Sequence, residues 1–156
     1  MHYLVDGHNL IAHHPEISLE DPHDEALLIE KLRGFAVRTR KKVVVVFDGG
    51  LPGGVSPRLS NSLVQAKFAS SGQTSADEII QGMLHRAKTP QAVTLVSSDR
   101  EIILIAEARG AQVLSAAAFI QLLSPPSGGT PSARKRSSRP PEQSGSTKLA
   151  GNFFQK

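Results

Sequence analysis

Apolar positions come along this chain in short blocks whose period changes from one block to the next. Tyr3-Leu4-Val5 is a brief apolar run that stops at Asp6-Gly7, which reads as a strand followed by a turn. From Glu25 to Arg40 the apolar residues Leu28, Leu32, Phe35 and Ala36 recur at spacings of three and four, so the segment is expected to be an amphipathic helix. Val43 to Phe47 is apolar without alternation, as in a parallel strand covered on both faces, and it also ends at an acid, Asp48. After a glycine-rich stretch from Gly49 to Gly54, Val64 to Phe68 alternates as a strand with one less buried face.

Ser75 to Lys88 predicts a helix with Ile79, Ile80, Met83 and Leu84 turned inward. Thr94-Leu95-Val96 predicts a third apolar strand leading to Ser97-Ser98-Asp99. Arg100 to Arg109 then reads as a helix with Gly110 as its C-cap, and Gln112 to Leu114 and Ser115 to Leu123 supply a last strand and helix. Strands alternating with helices predict an α/β fold, a mainly parallel sheet with helices on both faces.

Composition divides the chain in two. Residues 1–123 carry 12 Lys and Arg against 13 Asp and Glu, whereas 124–156 carry 6 against 1, so the net charge of +4 belongs to the tail. That tail contains Ser124-Pro125-Pro126, Arg134-Lys135-Arg136 and Arg139-Pro140-Pro141, and is too poor in apolar residues to offset its chain entropy. We read 1–123 as the folded domain and 124–156 as a disordered basic tail, able to contact RNA or merely kept solvated by its charge. Leu149, Phe153 and Phe154 near its end read equally as a docking peptide or a frayed terminus.

The absence of cysteine removes disulfides, thiolate metal sites and thiol nucleophiles. The longest apolar runs fall far short of the ~20 residues of a bilayer span, and no export signal is recognisable, so a cytoplasmic protein without a membrane segment is expected.

In doubly wound sheets ligands bind beyond the carboxyl ends of the strands, where strand order reverses. Asp6, Asp48 and Asp99 are all expected at that edge. Taken singly, each is also ordinary turn chemistry. Together they are costly: carboxylates at ~6 Å repel by roughly 3 kcal/mol per pair at an effective dielectric of about 20. Oxygen donors without sulfur or clustered imidazoles suit Mg²⁺ or Mn²⁺, and such ions point to phosphodiester hydrolysis.

Asp77 opens a helix between the second and third acidic strands, and reads either as a fourth ligand or as a complement to the helix dipole. Ser75-x-x-Glu78 matches a capping box, which assigns Glu78 to the helix start; Ser98-x-x-Glu101 suggests the same for Glu101. Asn9 is either a polar companion of Asp6 or an N-cap. Arg58 and Lys67, flanking the Gly/Pro loop, are candidates for gripping RNA backbone, as are Arg100 beside Asp99 and the tail residues Arg134, Lys135 and Arg136. His8 is placed near the site and His13 and His14 in a loop; no HxxxH or HExxH spacing supports zinc.

The motifs Asp6-Gly7-His8-Asn9-Leu10-Ile11, Val46-Phe47-Asp48-Gly49, Thr74-Ser75-Ala76-Asp77-Glu78-Ile79-Ile80 and Val96-Ser97-Ser98-Asp99-Arg100 occur in order. With them the sequence resembles the NYN branch of the PIN-like nucleases, and within it the bacterial YacP-like group. The resemblance covers roughly Met1 to Leu123 and leaves the tail unmatched. It implies a three-layer α/β/α domain acting as a metal-dependent endoribonuclease, in a group linked to ribosomes and mRNA cleavage. By position it implies that Asp6, Asp48, Asp77 and Asp99 form the acidic site with Asn9 beside them. Family members commonly carry an aromatic where His8 stands.

The alternative is a non-catalytic RNA or ribosome adaptor on the same fold; four retained aspartates count against it. A HAD-like phosphatase would need Asp-x-Asp, which neither Asp6-Gly7-His8 nor Asp48-Gly49-Gly50 provides. Gly49 to Gly54 lacks the spacing of a dinucleotide-binding loop.

Overall fold

The computed structural model describes residues 2–50 and 53–124. The expectations for the tail, including Arg134, Lys135, Arg136 and the Leu149/Phe153/Phe154 peptide, lie outside the described residues.

Elements follow the alternation in the sequence. They are β1 (His2–Asp6), α1 (Gly7–His13), α2 (Asp24–Thr39), β2 (Lys42–Gly50), β3 (Gly54–Val55), β4 (Val64–Ser70), α3 (Ala76–Arg86), β5 (Val93–Val96), α4 (Arg100–Arg109), β6 (Gln112–Leu114) and α5 (Ala116–Leu123). The strands form one sheet in the order β3-β4-β2-β1-β5-β6. All neighbours run parallel except the short β3, which is antiparallel to β4.

Side chains along a strand alternate between faces, so Leu4 and Val5 enter different cores. Val5, Val43, Val45 and Phe47 pack with Leu10, Leu28, Leu32, Phe35 and Phe119 of α1, α2 and α5. Leu4, Val46 and Leu95 pack with Ile80, Leu84, Ile102 and Ala106 of α3 and α4. The result is the three-layer α/β/α arrangement with a mainly parallel central sheet. Among the described residues no helix is long and apolar enough to cross a membrane.

Two local expectations change. Asp6-Gly7 is not a turn: β1 passes directly into α1, with Asp6 as its N-cap. Glycine is required there because a Cβ on residue 7 would run into the Phe47 ring at the end of β2. The segment after Asp48 is not wholly loop either, since β2 continues to Gly50 and Gly54–Val55 pair with β4.

The topology fixes where a site can lie. From β1 the chain builds outward through β2 and β4, then returns to the other side of β1 to add β5 and β6. Strand order therefore reverses between β1 and β5, opening a crevice beyond their carboxyl ends.

Candidate active site

Asp6 stands at that crevice, at the end of β1, and is only 7% exposed. Facing it is Ser97, fully buried just beyond β5. The Ser97 hydroxyl donates to Asp6 Oδ2 at 3.3 Å and accepts the Asp99 backbone N–H at 3.0 Å, tying the two acidic positions through one oxygen.

Asn9 closes the crevice from the first turn of α1. Its Oδ1 accepts the Ser98 backbone N–H at 3.0 Å, from a position three residues beyond Asp6. Asn9 is thus not an N-cap but a brace between β1–α1 and the turn leading into α4. Sequence inspection did not single out Ser97 as a partner of Asp6; its place before Ser98-Asp99 at a strand end was the available signal.

Asp99 is the N-cap of α4, its Oδ1 accepting the Glu101 N–H at 2.9 Å. This corrects the Ser98-x-x-Glu101 capping box: Ser98 Oγ instead accepts the N–H of Ala116 at 3.4 Å. Ser75-x-x-Glu78 is a true capping box, with Ser75 Oγ accepting the Glu78 N–H at 3.2 Å and Glu78 Oε1 accepting the Ser75 N–H at 3.0 Å. Glu78 is consumed by the helix start, whereas Asp77, one residue earlier, is free to face the other acids.

Asp48 is exposed, and its Oδ1 accepts the Ala76 N–H at 2.7 Å, anchoring the first residue of α3 to the end of β2. That bond brings Asp77 to the crevice. Burial, then Asp99, Asp48 and Glu101, together with a hydrogen bond to the Asp99 side chain, raise the Asp77 carboxyl above its ordinary value. Burial, then Asp77, pushes Asp6 up to about 6 against the opposing pull of Ser97 and the Asn9 N–H, and Asp48 adds to the rise. Asp6 therefore feels Asp77 and Asp48, and Asp77 feels Asp99, Asp48 and Glu101, the last read from sequence as structural.

Such a field suits a divalent cation bound through oxygen. The donor set contains only hard ligands, and Mg²⁺ or Mn²⁺ is commonly held by one or two carboxylates and completed by water and phosphate. Tighter ligand geometry occurs elsewhere. Among the described residues, the group whose donor atoms all lie within 4.8 Å of one another is His8, Asp24 and Glu25.

That second cluster is accounted for without an ion. His8 Nδ1 accepts the Asp48 backbone N–H at 3.4 Å, which assigns the imidazole proton to Nε2, and Nε2 donates to Glu25 Oε2 at 2.9 Å. Asp24 Oδ1 accepts the Glu25 N–H at 2.8 Å. His8 also packs on Phe47, with ring centroids 5.2 Å apart. It supports Asp48 rather than presenting a lone pair to a metal. His13 lies in the last turn of α1 rather than in a loop, and His14 caps that helix.

The expected RNA-contacting cations separate. Arg100 is exposed beside Asp99, and Arg58 is exposed in the turn before β4. Lys67 is partly buried and lines a cavity with α3 residues.

Comparison with known proteins agrees with this architecture. The family model described as the YacP-like NYN domain matches residues 3–153, extending well beyond the 1–123 span over which the motifs were expected to match. A relative from Bacillus subtilis strain 168, described as uncharacterized protein YacP, is 34% identical over 84 residues, covering 50% of this chain and 48% of that protein. The match thus spans about half of that relative's length. The crystal structure of Rae1 (YacP) from Bacillus subtilis is similar at a TM-score of 0.65 and 25% identity, covering 79% of this chain and 73% of that one. A tryptophan-to-leucine variant of the same protein gives 0.63 and 23%, covering 79% and 75%, and shares the fold. With the family match running over nearly the whole sequence, this chain belongs to the YacP-like NYN domain family.

Proposed function

We propose that this protein is a metal-dependent endoribonuclease that hydrolyses RNA phosphodiester bonds, with ribosome-associated mRNA as its substrate. Membership of the NYN family supports nuclease-type chemistry on RNA. The observation that carries the reading is geometric: Asp6, 7% exposed at the end of β1, is tied through the Ser97 hydroxyl to the Asp99 backbone, while Asp48 anchors the start of α3 that carries Asp77; burial and Asp77 raise its carboxyl accordingly. An acid held in that state at a strand-order reversal is poised to gain from a cation.

In this reading Asp6, Asp77 and Asp99 hold Mg²⁺ or Mn²⁺, and Asp48 either joins them or orients a water. Such an ion, when bound, neutralises phosphate charge and lowers the pKa of water. The remaining work belongs to the chain. Ser97 keeps the Asp6 carboxylate in register with the Asp99 backbone, and Asn9 locks the crevice by holding the Ser98 amide. Asp48 fixes the height of Asp77 by anchoring Ala76. Arg100, exposed beside Asp99, supplies positive charge for the RNA backbone at the site, and Arg58 with the tail residues Arg134, Lys135 and Arg136 is assigned to the same backbone farther along.

The test is cleavage of a labelled RNA across a titration of Mg²⁺ and Mn²⁺, comparing the parent with Asp6→Asn and Asp99→Asn. Metal-dependent internal cleavage lost in both variants is expected; undiminished cleavage in both rejects the nuclease. The ribosomal part is tested by offering the same message free and on ribosomes, with faster cleavage of the ribosome-borne form expected and equal rates counting against it.

A further inference from the structure

A second site lies on the α3 side of the sheet, toward the end of that helix remote from the acids. Asp77 is the second residue of α3 and Arg86 its last, a separation of ~13 Å along the axis at 1.5 Å per residue. There a cavity of about 320 Å³ opens under the helix. Its volume is in the lower part of the roughly 300–1,000 Å³ range of small-ligand sites.

The lining has two characters. Leu4 of β1, Val93 of β5, and Met83 and Ala87 at the end of α3 make an apolar floor. His2, Lys67 and Arg86 supply the polar groups. Among the described residues the one ion pair of fixed charges is Lys31–Glu16, His8–Glu25 being a hydrogen bond of a neutral imidazole, and no described carboxylate pairs with Lys67 or Arg86. Burial lowers the pKa of His2, leaving a neutral imidazole that can stack or share a hydrogen bond. The Arg86 guanidinium folds back over Gly82, where a Cβ would stand 2.9 Å from Nη1. A partly buried, uncompensated lysine and an arginine around an apolar floor call for an occupant with a flat apolar body and an anionic end.

We propose that this cavity binds a nucleotide, its phosphate held by Lys67 and Arg86 and its base laid against the partly exposed Met83 and Ala87, with Leu4 and Val93 closing the floor beneath. The nucleotide is either free or one residue of an RNA chain; the recognition chemistry is shared. This site uses none of the four aspartates, so it stands apart from the hydrolytic reading.

The test uses the full 156-residue chain in EDTA, which removes any metal-dependent binding at the acids. Adenosine 5′-monophosphate, adenosine and inorganic phosphate are titrated while the Met83 methyl resonance is followed. The mononucleotide is expected to shift that methyl saturably, with adenosine and phosphate each binding at least about tenfold more weakly. Lys67→Met and Arg86→Met each remove a charge-assisted bond and are expected to weaken the mononucleotide about tenfold. Gly82→Ala, which retains both charges but displaces the guanidinium, is expected to weaken it less. A short oligoadenylate distinguishes the sources: a shifted Met83 methyl with the same Lys67→Met loss identifies an RNA residue, and an unmoved methyl identifies free nucleotide. A Met83 methyl unmoved by the mononucleotide, or both methionine variants binding like the parent, overturns the proposal. Neither result bears on cleavage by the acidic edge, which is read from the Asp6→Asn comparison.

Discussion

Asn9 Oδ1 accepts the backbone N–H of Ser98 at 3.0 Å, spanning the crevice between β1 and β5 where the strand order reverses. Removing that brace frees the turn that carries Asp99. Asn9→Ala is expected to cost about 1 kcal/mol of stability for one lost hydrogen bond. RNA cleavage is expected to fall by roughly tenfold to a hundredfold, as for other residues that orient metal ligands. Chemical denaturation and steady-state rates measured together check this; a full stability loss with unchanged turnover contradicts the bracing role.

Asp6 makes folding pH-dependent with a sign opposite to that of a salt-bridged acid. Its carboxyl is raised from 3.8 to about 6 in the fold, so the folded state binds more protons than the unfolded state between those values, and stability falls as pH rises through that window. The cost is fully present above pH 6 and absent below 3.8, on the order of 3 kcal/mol. Asp6→Asn is therefore expected to raise stability at pH 7.5 without metal, with the gain vanishing near pH 4, while abolishing cleavage. Denaturation curves across pH check it; a variant less stable than the parent at pH 7.5 contradicts the repulsion.

Asp77 and Glu78 are neighbours with opposite expected consequences. Asp77→Asn is expected to lower metal-dependent cleavage by at least about a hundredfold. Glu78→Ala is expected to lose about 1 kcal/mol of stability through its capping box, at unchanged turnover per folded molecule. Comparable losses of turnover in both would contradict the division of labour seen at the start of α3.

Gly7→Ala tests why a glycine follows the first acid. The new methyl group would meet Phe47, so overpacking is expected to cost roughly 1–3 kcal/mol. Gly7→Ala combined with Phe47→Leu is expected to recover part of that loss. Thermal melts of the two variants decide, and no recovery would place the strain elsewhere.

The alternation of strand and helix blocks was readable because burial imposes it: Val43 to Phe47 is apolar throughout because β2 lies between helices on both faces. The capping box at Ser75 and the left-handed cap at Gly110 were likewise local features. What escaped inspection depended on partners far away in the chain. Gly7 looked like a turn glycine because its reason, Phe47, is 40 residues downstream. Ser98 looked like a cap because only the fold shows its hydroxyl taken by Ala116 and the cap role passing to Asp99. Lys67 also lines a cavity beneath α3 that β4's alternation alone could not show.

A crystal grown in Mn²⁺ tests the central claim most directly, because anomalous scattering locates the ion without reference to activity. The account predicts a manganese peak among the Asp6, Asp77 and Asp99 carboxylates, lost in Asp6→Asn. A peak at His8, Asp24 and Glu25 instead, or no peak at the acidic edge under saturating Mn²⁺, contradicts it.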